Sequence, residues 1–99
     1  MTHTYVFAFD PEPEGGYTVT CPALPGLVTH GETLQEAREM ARDATEGLIE
    51  VMLEKGEAVP ESDPPSATQR YEQFVHSLRE DNESRTLLER LTVGTTEMV

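Results

Sequence analysis

The stretch from Thr33 to Gly56 constrains this chain more than any other. Thr33 and Glu36 fit the capping box, in which a hydroxyl and a carboxylate satisfy each other's orphan backbone donors at a helix start. Gly56 supplies the left-handed residue that ends a helix, so the spacing predicts one over 33–55. At ~1.5 Å per residue it is about 34 Å long, enough to cross a whole small sheet. Leu34, Ala37, Ala41, Ala44, Leu48 and Met52 fall on one arc at helical spacing, and the small alanines allow close approach to a sheet.

The opposite arc is acidic. Glu39, Asp43, Glu46, Glu50, Glu54 and Glu57 fall within roughly 80° of one another at ~100° per residue. Like charges at i,i+4 cost a few tenths of a kcal/mol each in an isolated helix, so burial of the apolar arc must offset them. One reading of this stripe is a solvated outer face; the other is a docking surface for a basic protein. Ile49 and Leu53 lie between the two arcs and are candidates for a subunit contact.

Three strands precede the helix. Tyr5-Val6-Phe7-Ala8-Phe9, aromatic and β-branched, has the composition of a strand buried on both faces, predicted over 5–10. Asp10 to Gly16 is dense in turn formers, and Tyr17-Thr18-Val19-Thr20-Cys21 then alternates, placing Tyr17, Val19 and Cys21 on one face. These segments read as a hairpin, strands 5–10 and 17–21, around a long acidic loop. Pro22-Ala23-Leu24-Pro25-Gly26 is a rigid corner, with Pro25-Gly26 suited to the centre of a type II turn. A third strand is expected over 27–31, ending at Gly31.

Beyond the helix, Glu57 to Ser66 is polar and proline-bearing, a linker. Tyr71, Phe74, Val75 and Leu78 follow at i, i+3, i+4 and i+7 and predict a helix over 67–79. Ser84 is expected to cap a further turn around Leu87 and Leu88. Leu91-Thr92-Val93 alternates and predicts a final strand over 90–94, with 71–76 as the competing segment. The expected fold class is α+β: a β-β-β-α-β unit, a three- to four-stranded sheet on one long helix, with an acidic helical C-terminal extension over 61–99. A length of 99 residues fits one such domain.

Charge bears on function. The chain carries 19 acidic and 7 basic residues, a net charge of -12, which repels phosphate backbones and argues against autonomous nucleic-acid binding. Residues 1–59 hold 11 acids against 3 bases, and much of that share lies in the helix stripe. With only one lysine, Lys55, that excess is also what a high-salt cytoplasm selects. No apolar stretch approaches the ~18–20 residues needed to cross a membrane, and no signal-peptide pattern precedes the first strand. A soluble, cytoplasmic protein is expected. Cys21 is the lone cysteine, and His3, His30 and His76 share no ligand spacing, so no metal or cofactor is expected. No nucleophile elbow, S-x-x-K context or phosphate loop is present, so no catalytic residues are assigned and a non-enzyme is expected.

The run from Gly16 to Pro60 resembles the HicB-like antitoxin family. Gly16-Tyr17 opening the second strand and Cys21-Pro22-Ala23-Leu24-Pro25-Gly26 at the corner carry the likeness. So do His30-Gly31-Glu32-Thr33-Leu34-Gln35-Glu36-Ala37 at the helix start and Gly56-Glu57-Ala58-Val59-Pro60 after it. The resemblance implies a trimmed ribonuclease H-like unit without its catalytic acids and a homo-oligomer, dimer or tetramer. It also implies inhibition of a small basic messenger-RNA-cleaving toxin by covering its active site. Many family members add a C-terminal DNA-binding module; here residues 61–90 read instead as an acidic helical extension, and direct nucleic-acid binding by this chain alone is not expected. An orphan scaffold or ligand-binding module of the same fold is the alternative function, and a residual nuclease the third.

Overall fold

A computed structural model of the chain describes residues 2–64 and 86–94. Strand β1 (Thr2–Pro11), β2 (Tyr17–Thr20) and β3 (Val28–Gly31) precede one helix, α1 (Leu34–Glu54), and β4 (Leu87–Gly94) follows it. The four strands form a single sheet in the order β3-β2-β1-β4, antiparallel throughout.

Local chemistry explains the elements. In the β1–β2 loop, Glu12 N–H donates to the Gly16 carbonyl at 3.0 Å, while Gly15 and Gly16 take φ of 105° and 84°, which side-chain-bearing residues rarely adopt. At the corner, Leu27 N–H donates to the Leu24 carbonyl at 3.0 Å and Gly26 has φ 95°, the geometry of a type II turn centred on Pro25-Gly26. Glu36 N–H donates to Thr33 Oγ1 at 3.0 Å; the Glu36 carboxylate accepts from Glu32 N–H at 2.6 Å, one residue before the usual partner in a capping box. The helix ends in a Schellman motif: Gly56 N–H donates to the Leu53 carbonyl at 3.1 Å and Glu57 N–H to Met52 at 2.8 Å.

β1 is the spine of the sheet, and its five residues from Tyr5 to Phe9 are all buried. Tyr5, Phe7 and Phe9 face α1 and form the core with Val19, Cys21, Leu24, Leu27, Leu91 and Val93 from the sheet side and Ala37, Ala41 and Ile49 from the helix. Leu34, Ala44, Leu48 and Met52 pack against this core partly exposed, so the whole sequence-defined apolar arc faces the sheet. Val6 and Ala8 point to the other face, where Arg90, opposite Val6 in register, donates to the Asp63 carbonyl at 3.1 Å.

β2 reaches only as far as Thr20, opposite Ala8, which leaves the first half of β1 without a strand on that edge. The linker takes its place. Thr4 N–H donates to Ser62 Oγ at 2.9 Å, Val6 N–H to Asp63 Oδ2 at 2.8 Å, and Asp63 N–H to the Thr4 carbonyl at 2.7 Å. Side-chain oxygens thus satisfy backbone donors that would otherwise be exposed along an edge strand.

Three expectations are corrected. β1 begins at Thr2 rather than residue 5, because its polar start pairs with the end of β4 through Thr2–Gly94 and His3–Val93. β4 begins at Leu87 rather than residue 90, so Leu87 and Leu88 form no Ser84-capped turn; they pair with Phe9 and Ala8. Ile49 is fully buried against the sheet and is not available as a subunit contact. The helix expected over 67–79 and the rival final strand at 71–76 lie outside the described residues.

Candidate functional site

The residues that carry the sequence resemblance build the β2–β3–α1 corner. Gly31 sits where β3 meets the helix: a Cβ there would lie 2.3 Å from Ala37 N, so only glycine fits. Gly16 faces the same neighbourhood, with His30 Nε2 2.7 Å from where its Cβ would be. Tyr17 packs partly buried on the core opposite Gly31, Leu24 and Ala37 are buried, and Pro22, Pro25 and Gly26 lie on the surface of the turn. This set orients the helix on the sheet. Its role is architectural.

Along α1, Glu39, Asp43, Glu50 and Glu54 are exposed and Glu46 is partly so. The flank toward β4 is basic. Arg38 forms a two-pronged bond with Glu89, Nε and Nη2 each donating at 2.8 Å, and Arg42 Nε reaches the Thr92 carbonyl at 3.4 Å. That bond raises the Arg38 pKa and lowers that of Glu89, whose hydrogen bond to Arg38 outweighs partial burial. The two arginines nearest the stripe are therefore turned to β4. Among the described residues, no ion pair neutralises Glu39, Asp43, Glu46, Glu50 or Glu54.

Leu53 is 46% exposed, and two apolar side chains the sequence reading did not single out, Met40 and Val51, are 38% and 43% exposed. The signal for them was present: Met40, Gly47 and Val51 lie at i, i+7 and i+11, on one line of a helix. Among the described residues, no group of three or more His, Cys, Asp or Glu side chains is placed to hold a metal, and no helix is long and apolar enough to cross a membrane. The Cys21 thiol is buried, which pushes its pKa up to about 11 and disfavours the reactive thiolate.

A four-stranded antiparallel sheet with one helix on its face makes a small domain of the α+β class. The same arrangement occurs in a toxin–antitoxin complex from Streptococcus pneumoniae, with a TM-score of 0.71 at 18% identity over 100% of this chain and 78% of that one; this likeness is one of fold. It also occurs in the N-terminal domain of the Burkholderia pseudomallei antitoxin HicB, with a TM-score of 0.64 at 25% identity over 92% of this chain and 98% of that one. In sequence, antitoxin HicB of Escherichia coli K12 is 35% identical over 71 residues, 72% of this chain and 49% of that protein. The chain therefore spans about half the length of that relative. Residues 5–80 match the HicB_like antitoxin of bacterial toxin-antitoxin systems, and the chain belongs to this family.

Proposed function

We propose that this chain is a non-enzymatic antitoxin that binds and neutralises a small basic, RNA-cleaving toxin protein in the cytoplasm. The observation that carries this reading is the acidic face of α1: among the described residues, Glu39, Asp43, Glu46, Glu50 and Glu54 have no ion-pair partner, on a HicB-like fold. Such a face steers a cationic protein into encounter, and steering of this kind raises association rates well above those of neutral pairs at low salt. The sheet order and the helix on one face support reading the unit as a trimmed ribonuclease H-like fold used as a scaffold for binding. In this reading the chain acts as a homo-oligomer, a dimer or tetramer, and does not contact nucleic acid by itself.

The test is co-expression with the product of the neighbouring reading frame. A stable complex is expected, with an association rate that falls by about tenfold or more between low salt and about 0.5 M salt, since exposed charges are screened over a few Å at such concentrations. A neighbouring frame that encodes no small basic protein, or a chain that forms no complex with it, sinks the reading. The orphan-scaffold alternative draws on exposed Leu53 and on Val28, 66% exposed on edge strand β3. A chain that is an isolated monomer by light scattering counts against the homo-oligomeric scaffold.

A further inference from the structure

The acids of α1 border an apolar seam. Counted at ~100° per residue, Met40, Gly47 and Val51 fall within about 40° of one another on the helix surface, and Asp43, Glu50 and Glu54 lie within about 60° to one side of Gly47. Arg38 and Arg42, which reach β4, project from roughly the opposite flank. The seam therefore runs along the side of α1 away from β4, toward the β3 edge of the sheet.

Gly47 is the informative residue. A glycine in the interior of a helix is unfavourable, and among the described residues no packing requirement explains it: a Cβ at Gly47 would meet none of them within 4 Å. Bare backbone flanked by an exposed Met and an exposed Val instead lets another chain come close to the helix. Protein interfaces place apolar groups at the centre and charge at the rim, and Met adapts its shape to what it meets. A second copy of this chain is a poor occupant, because it would bring the same three acids to the same rim.

We infer that the Met40–Gly47–Val51 seam is the contact centre for the cationic partner, which lays an apolar segment over Gly47 and sets Lys or Arg side chains against Asp43, Glu50 and Glu54. The inference rests on the antitoxin reading and moves the centre of docking from the outward acidic face to its edge. Its probe is the purified product of the neighbouring reading frame, titrated calorimetrically into the full chain. Gly47→Leu fills the seam from a position whose Cβ meets none of the described residues within 4 Å, so affinity is expected to drop at least tenfold with no fall in thermal midpoint; Val51→Asp serves as the second variant. The pair Glu39→Lys and Glu46→Lys, on the outward face, is expected to weaken binding less. Wild-type affinity in both seam variants, with loss in the outward pair, overturns the seam and leaves the antitoxin reading standing. No complex with the wild-type chain overturns both. A wild-type dimer that Gly47→Leu converts to a monomer, with partner affinity unchanged, gives the seam to a second copy and overturns the inference.

Discussion

At the scale of single residues, two glycines have opposite reasons to be there. Gly31 has no unusual φ; what it needs is space, because the helix start crosses it with Ala37 N 2.3 Å and Ala37 Cα 2.5 Å from its missing Cβ. Both atoms are backbone and neither yields by rotating a side chain. Gly31→Ala therefore forces β3 and α1 apart, and a loss of roughly 3 kcal/mol or more in urea unfolding is expected. Gly47→Ala adds a methyl group that meets none of the described residues within 4 Å and removes backbone freedom from the unfolded chain. A gain of about 0.5–1 kcal/mol is expected there. A stability loss in Gly47→Ala would show that the helix surface around it is covered.

At the scale of elements, α1 is fastened to β4 by the Arg38–Glu89 pair, whose two bonds join residues 51 positions apart. The folded state lowers the Glu89 pKa, so the pair's stabilisation is present above the ordinary carboxylate value of 4.5 and is lost as pH falls through the lower folded value. Glu89→Gln is accordingly less stable than the parent at pH 7, and the gap between their thermal midpoints closes as pH falls below 4.5 and through the lower folded value. A gap that stays constant into acid would mean that the pair's charge contributes nothing. The same helix shows which parts of the fold the sequence made legible. Its caps, its apolar arc and the buried run of β1 were readable because each depends on neighbours a few residues away. Ile49 was not. The fully buried positions Ala37, Ala41, Thr45 and Ile49 advance by four, drifting about 40° per step, so a helix crossing the sheet obliquely brings Ile49 inward from between the arcs. Thr45 escaped for a different reason: its hydroxyl donates to the Ala41 carbonyl at 2.7 Å, which lets a polar residue occupy the core. The start of β4 was illegible because Leu87-Leu88-Glu89-Arg90 has no alternation of its own; Phe9, Ala8, Phe7 and Val6 set its register from the far end of the chain. Of the proposed docking site, the acids were plain in the sequence, whereas the seam beside them required knowing that a Cβ at Gly47 meets none of the described residues within 4 Å.

At the scale of the whole molecule, the chain's distant parts meet at Tyr5 of β1 and Cys21 before the corner, both buried, and at the partly buried linker residues Pro60 and Asp63. The Tyr5 hydroxyl donates to the Pro60 carbonyl at 2.5 Å, and Asp63 binds the backbone of Thr4 and Val6. Burial raises the Tyr5 pKa from 10.0 to about 12, helped by the charges of Cys21 and Asp63. Burial raises that of Cys21 from 9.0 to about 11, outweighing donation from the Ala23 and Leu24 backbone to the sulfur. Both groups are neutral when protonated, and both hold the proton more tightly folded than unfolded. Their contribution is therefore complete below pH 9, the unfolded value for the thiol, and drains away as pH climbs through the folded values near 11 and 12. The two contributions are less than additive because the two charges interact. The thermal midpoint of the wild-type chain is expected to stay level near neutrality and to fall steeply from pH 9 toward 12. Cys21→Ala should flatten the lower part of that decline and Tyr5→Phe the upper part, whatever each does to stability at pH 7. The slope carries the test rather than the absolute midpoint, because Tyr5→Phe also removes the bond that holds the linker to β1. If Tyr5→Phe loses stability above pH 10 as steeply as the wild type, the phenol is not what ties the linker, the sheet and the corner into one pH-sensitive unit.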